Sequence, residues 1–84
     1  MKLSIIIPCY NEENTIKIIV EKVLKFNLFE KEIIIVDDCS TDSSGQIIKK
    51  LALENSNIKY FFLEENLGKG AALSKGFFEA SGDI

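Results

Sequence analysis

Three short polar segments each follow an apolar run: Pro8-Cys9-Tyr10-Asn11-Glu12-Glu13, Asp37-Asp38-Cys39-Ser40 and Asn66-Leu67-Gly68-Lys69-Gly70. Their residue types suit a nucleotide. A carboxylate at the carboxyl end of a parallel strand can accept hydrogen bonds from ribose hydroxyls or a base N–H, which is the chemistry Asp37 and Asp38 offer. Of the two, Asp38 is the favoured ligand contact, and one of the pair serves structure. Tyr10 supplies a ring that can lie against a flat base, and Glu12 a further acceptor. Lys69 stands just before a helix, where a cation opposes the helix dipole. Together with backbone N–H groups of its turn, it would suit a diphosphate. Each residue also has a plain structural use. The acids can cap the following helix or close an Asx-turn, Tyr10 can lie half-buried over the sheet edge, Glu12 can favour a helix N-terminus, and Lys69 can simply be solvated.

What is missing narrows the chemistry further. The 84 residues contain 10 Lys plus Arg against 13 Asp plus Glu, for a net charge of -3, and every cation is Lys. Without His or Arg there is no imidazole acid/base catalyst, no His-ligated metal and no guanidinium clamp. An acidic chain of this kind is a poor partner for a nucleic-acid backbone. The hydrophobic share of 46% and charged share of 27% describe a globular chain with room for one core. Cys9 and Cys39 lack the spacing of zinc or redox pairs and are expected as reduced structural thiols in a cytoplasmic setting. The apolar run Leu3–Ile7 is too short for a signal peptide, and no run approaches the ~20 residues of a membrane span.

The elements that must position these segments alternate. Leu3 to Ile7 forms a β-branched strand that Pro8 is expected to end. Continuous apolarity suggests that both faces of the strand are covered, as in a parallel sheet. Ile16, Ile19, Val20, Val23 and Leu24 share one helical stripe, with Asn11 or Asn14 as the cap and Asn27 as the stop. Ile33–Val36 is a second strand, and Ile47, Ile48, Leu51 and Ala52 mark a second helix after a run of capping residues. Ile58 to Leu63 is a third strand. A third helix carries Ala72, Leu73, Gly76, Phe77 and Ala80, stops at Gly82, and leaves Ile84 to open a fourth strand. Three βα units with short connections predict an α/β fold with a parallel sheet and right-handed crossovers. All three polar segments then converge on the carboxyl rim of that sheet.

Two nucleotide or phosphate folds can be set aside on these residues. The first strand is followed by Pro8-Cys9-Tyr10-Asn11 where a dinucleotide fold needs G-x-G-x-x-G, and Gly68-Lys69-Gly70 lacks the P-loop spacing. The chain does resemble family 2 inverting nucleotide-sugar glycosyltransferases of the GT-A fold, over nearly its whole length. Ser4-Ile5-Ile6-Ile7-Pro8-Cys9-Tyr10-Asn11-Glu12 is similar to that family's opening strand and loop, and Ile35-Val36-Asp37-Asp38-Cys39-Ser40-Thr41-Asp42 to its second strand motif. Asn66-Leu67-Gly68-Lys69-Gly70-Ala71-Ala72, Gly76 and Ala80-Ser81-Gly82-Asp83-Ile84 resemble the stretch leading to its metal site. The Gly-Lys-Gly form looks most like the dolichyl- or polyprenyl-phosphate mannosyl- and glucosyltransferase branch.

The resemblance implies a Rossmann-like GT-A nucleotide-binding half that breaks off as the fourth strand begins. It implies that Pro8, Tyr10 and Glu12 line the nucleotide pocket, that Asp38 bonds base or ribose with Asp37 beside it, and that Gly68, Lys69 and Gly70 border the diphosphate. Lys75 stands where family members often carry Arg; Lys keeps the charge but gives up the planar fork needed for a bidentate contact. The parent enzyme would use Mg²⁺ or Mn²⁺ on a D-x-D motif expected beyond Ile84, and its general base also lies later. No residue of 1–84 is therefore expected to be catalytic or to bind metal, and the segment alone is expected to be inactive. The implied partners are a UDP- or GDP-sugar donor and an acceptor such as a polyprenyl phosphate at the cytoplasmic membrane face. The alternatives are a non-catalytic nucleotide-binding module, or a fragment whose open sheet edge prevents independent folding.

Overall fold

The computed structural model describes residues 2–26 and 30–80. Strands β1 (Lys2–Cys9), β2 (Glu30–Asp37) and β3 (Ile58–Phe62) alternate with helices α1 (Ile16–Leu24), α2 (Ser44–Glu54) and α3 (Lys69–Glu79). The strands form one parallel sheet in the order β1-β2-β3, with Ile5 opposite Ile33 and Ile33 opposite Ile58. The α/β architecture with three βα units is therefore the observed one. Asn27, Gly82 and the fourth strand expected at Ile84 lie outside the described residues, but α1 and α3 already close at Leu24 and Glu79, ahead of the expected stops.

The two faces of the sheet are filled differently. The pleat turns Ile7, Cys9, Ile33, Ile35 and Ile58 to one side, where they meet Ile16 and Val20 of α1 and Ile48 and Leu51 of α2. Ile34 and Val36 face the other way and pack on Ala72 of α3, flanked by Ile6, Phe61 and Leu63. Helix α3 approaches β1 closely: a Cβ on Gly76 would stand 2.3 Å from Ile6 Cγ2, so a side chain there would force the two elements apart. β2 is buried on both faces from Glu32 to Asp37, as continuous apolarity predicts for a central parallel strand.

Four local expectations need correction. Pro8 does not end β1, which runs on to Cys9 with Pro8 opposite Val36. The Cys9 carbonyl accepts the Asp38 N–H at 2.8 Å, so the alternation turns the bare nitrogen of Pro8 away from β2, where no ladder bond is lost. Neither Asn11 nor Asn14 caps α1: the cap position is Thr15, without a side-chain cap bond. Ile19 is exposed, and the α1 stripe centres on Ile16 and Val20. β3 closes at Phe62, one residue before Leu63, with Ile58 buried, Phe61 half-buried and Lys59, Tyr60 and Phe62 exposed.

One buried group had no place in the pattern. Glu32 is 2% exposed, accepts a 2.8 Å hydrogen bond from Ser4 Oγ, and pairs with Lys59 Nζ at 2.9 Å and Lys2 Nζ at 3.6 Å. Its place in an otherwise apolar run, in phase with Ile34 and Val36 on the α3 face, was the available signal.

Candidate functional site

Helices α1 and α2 cover one face of the sheet and α3 the other, so the chain changes face after β3. In open parallel sheets such a reversal opens a crevice at the carboxyl ends of the strands, where ligands bind. A cleft of about 220 Å³ lies there, lined by Pro8, Cys9, Tyr10, Glu12, Asp38 and Lys69. This is smaller than the ~300–1,000 Å³ of a complete small-molecule site, so it accommodates part of a ligand. Five residues expected at a nucleotide site thus share one cavity. Asp37, Gly68 and Gly70 do not line it, and Cys9 joins it.

The first two rim loops are latched together. Asn11 adopts the left-handed conformation (φ 50), which Asn tolerates better than most residues. Its backbone N–H donates to Ser40 Oγ at 2.8 Å, and its side-chain oxygen accepts the Thr41 N–H at 2.8 Å. The Glu12 N–H donates to Ser44 Oγ at 2.9 Å and the Glu13 N–H to Asp42 Oδ2 at 3.2 Å. These donors would otherwise begin α1. Bound across to the β2–α2 loop, residues 11–13 are held in a fixed turn that presents Tyr10 and Glu12 to the cleft. Tyr10 is 45% exposed, with its ring available to a ligand. Glu12 accepts a 2.7 Å bond from Thr15 Oγ1, so its carboxylate is partly turned to its own helix.

The acidic pair divides its work, and both members have structural partners. Asp37, 4% exposed, accepts from Ser40 N–H at 2.9 Å and from Ser40 Oγ, pinning the chain three residues on behind the rim. Asp38, also 4% exposed, faces the cleft and accepts from the Leu67 N–H at 2.8 Å and the Gly68 N–H at 2.9 Å. Gly68, at φ 93, takes a conformation few other residues adopt and leads directly into Lys69, the first residue of α3. Lys75 lies elsewhere: it pairs with Glu79 at 2.9 Å and sits 5.0 Å over the Phe61 ring.

Electrostatics fit binding better than bond chemistry. Burial, offset in part by a hydrogen bond with Ser44 and reinforced by the Asp37 charge, pushes the Cys9 thiol up to about 11, so it is a neutral wall of the cleft and no nucleophile. Cys9 and Cys39 are both free. Partial desolvation works against the Asp42 carboxylate, but hydrogen bonds from the Ser44 side chain and from the Ser44 and Glu13 N–H groups outweigh it and hold the carboxyl below its usual value. Among the described residues no three His, Cys, Asp or Glu side chains gather as a metal site, and both members of the acidic pair are engaged by protein donors. The described residues do not make the site for the divalent ion that the resemblance implies. Among them, too, no helix is long and apolar enough to cross a membrane.

Known proteins share sequence and fold with this chain. The chain is 38% identical over 81 residues to the poly-beta-1,6-N-acetyl-D-glucosamine synthase of Staphylococcus aureus, covering 96% of this chain and 19% of that protein. The synthase of the same name from Staphylococcus epidermidis is 39% identical over 79 residues. The chain thus spans about a fifth of the length of these curated relatives. Among solved structures, S. aureus TarS 1–349 superposes with a TM-score of 0.87 at 36% identity, over 98% of this chain and 25% of that one, and has also been crystallised with UDP-GlcNAc. A Pyrobaculum calidifontis mannosyltransferase solved with GDP-Man and Mn²⁺ shares the fold at 23% identity, with a TM-score of 0.87 over 94% of this chain and 24% of that one. Residues 4–84, nearly the whole chain, match the family described as glycosyl transferase family 2, and the chain belongs to that family.

Proposed function

We propose that residues 1–84 form the donor-nucleotide part of an inverting glycosyltransferase that moves a hexose from a nucleoside-diphosphate sugar to an acceptor. The observation that carries this reading is the cleft itself. It brings an aromatic ring (Tyr10), a buried carboxylate (Asp38) and a cation at a helix start (Lys69) to the crevice of a parallel sheet. Tyr10 lies against the base, Asp38 accepts from a base N–H or a ribose hydroxyl, Glu12 offers a second acceptor, and Lys69 with the N–H group of Gly70 meets the diphosphate, while the Gly68 N–H stays on Asp38. Asp37 holds the wall behind them. Similarity to TarS, solved with UDP-GlcNAc, favours a UDP-sugar over a GDP-sugar.

The divalent ion and the general base are supplied from outside the described residues, so the 84 residues alone are expected to give no transfer with donor and Mn²⁺. As acceptor, the polysaccharide-synthase relatives favour a growing glycan. A polyprenyl or dolichyl phosphate at the cytoplasmic membrane face rests on the Gly68-Lys69-Gly70 form alone.

Titration of the full-length protein with UDP-GlcNAc and GDP-mannose, with Asp38→Ala as control, tests this function. Saturable binding of one donor that the variant weakens at least tenfold supports it. Binding of neither donor overturns it, and donor binding without transfer to any glycan or lipid phosphate identifies a non-catalytic nucleotide-binding module.

A further inference from the structure

We infer that Asp38 is a positioning residue for Lys69: it couples the nucleoside end of the cleft to the diphosphate end by holding the turn that presents the lysine. The inference rests on the donor-nucleotide reading and assigns Asp38 a second role within it. Its carboxylate is almost wholly buried, with Oδ1 taking the Leu67 N–H at 2.8 Å and Oδ2 the Gly68 N–H at 2.9 Å. Its own N–H is bound to the Cys9 carbonyl at 2.8 Å. Asp38 thereby ties the end of β1 to a turn that lies 29 and 30 positions beyond Asp38 itself.

Little else holds that turn. Residues 64–67 are all exposed, Leu67 included, so apolar burial does not anchor them. Among the described residues, the other side-chain bond that reaches the turn is the long Cys39 Sγ contact to the Glu64 carbonyl at 3.6 Å. Gly68 in turn accepts the Ala72 N–H on its carbonyl and starts α3 at Lys69. Asp38 thus holds the backbone immediately before Lys69 through the Gly68 amide, while Ala72 seats the body of α3 on the sheet.

A carboxylate offers about four acceptor sites, of which the turn uses two. A base N–H or ribose hydroxyl can take a remaining one without displacing the amides. A filled nucleoside end then fixes the carboxylate, the carboxylate fixes the turn, and the lysine meets the diphosphate already placed. The contribution of Lys69 should thus depend on Asp38, although Lys69 itself stays exposed and solvated.

A double-mutant cycle in the full-length protein tests this, with uridine and UDP as probes and their affinity ratio as the readout. Lys69→Ala should lower the UDP-to-uridine ratio by about tenfold. Asp38→Asn should lower the ratio as well as the uridine affinity, and adding Lys69→Ala to it should lower the ratio little further. Gly68→Ala, which strains the turn at its positive φ but keeps the Asp38 side chain, should lower the ratio by a larger factor than it lowers uridine affinity. Amide exchange at Leu67 and Gly68 should quicken about tenfold or more in Asp38→Asn without any nucleotide present. Ratios that fall independently in the two single variants, or unchanged exchange at Leu67 and Gly68, overturn the coupling while the donor reading stands. Failure of the wild type to bind either probe overturns the donor reading and, with it, the coupling.

Discussion

The rim of the sheet is built in two ways. The β1–α1 and β2–α2 loops share a latch of hydrogen bonds running in both directions, from the Asn11, Glu12 and Glu13 amides to Ser40, Ser44 and Asp42, and from the Thr41 amide back to Asn11. The β3–α3 turn is exposed and is held chiefly by one carboxylate. The contrast teaches where rigidity and dependence lie. Loss of one bond in the latch leaves others to hold Tyr10 and Glu12, whereas loss of Asp38 frees the turn in front of Lys69. The Tyr10 side of the cleft is redundantly built and the Lys69 side is not.

Breaking the weaker region should have the largest effect. Asp38→Ala removes a charged acceptor from two backbone N–H groups and should cost about 2–4 kcal/mol in urea denaturation, with faster exchange confined to the β3–α3 turn. The pH dependence probes the floor of the latch. Because the Cys9 thiol is raised from 9.0 to about 11 in the folded chain, the unfolded chain loses its proton first. The wild type should hold its stability up to about pH 9 and then lose on the order of 2–3 kcal/mol towards pH 11, a loss absent from Cys9→Ala. Ser44→Ala leaves the Glu12 amide without its acceptor and should cost about 1–2 kcal/mol. It should also raise the Cys9 thiol further, measurable as slower alkylation at fixed high pH. Asn11→Ala gives up a left-handed residue and the acceptor of the Thr41 amide. About 1 kcal/mol is expected, with Tyr10 still in place because the remaining latch bonds persist. Lys69→Ala touches nothing structural and should change stability by under about 0.5 kcal/mol while weakening UDP. A Lys69→Ala loss as large as that of Asp38→Ala would erase the contrast between the two regions.

The order of elements was legible because each signal is local. Ile33–Val36 is apolar without alternation, as a strand covered on both faces must be, and the stripes through Ile16 and Ile48 have helical spacing. Errors arose where a long-range partner outbid a local rule. Asn11, Glu12 and Glu13 read as a helix start from their types, but their amides bind side chains about thirty residues away, so α1 begins at Ile16. Pro8 read as a strand end because the pattern does not show which way its nitrogen faces. The acidic pair was visible as a pair, and the gathering of Asp38 with Tyr10, Glu12 and Lys69 follows from their shared place at strand ends. The bonds from Asp38 to Leu67 and Gly68 could not be foreseen, since nothing near Asp38 in sequence announces a partner beyond β3.

The crevice at Tyr10, Asp38 and Lys69 is the proposed seat of the donor nucleotide. A second hollow of about 170 Å³, lined by Lys17, Ile47, Lys50, Leu51 and Glu54, offers lysines to a phosphate on another side of the molecule. Amide chemical-shift mapping with UDP decides between them. Saturable shifts at Cys9–Glu12, Asp38 and Leu67–Lys69, and none at Ile47–Leu51, are predicted. Shifts centred on Lys17 and Ile47–Leu51, or none at either place, would contradict the account.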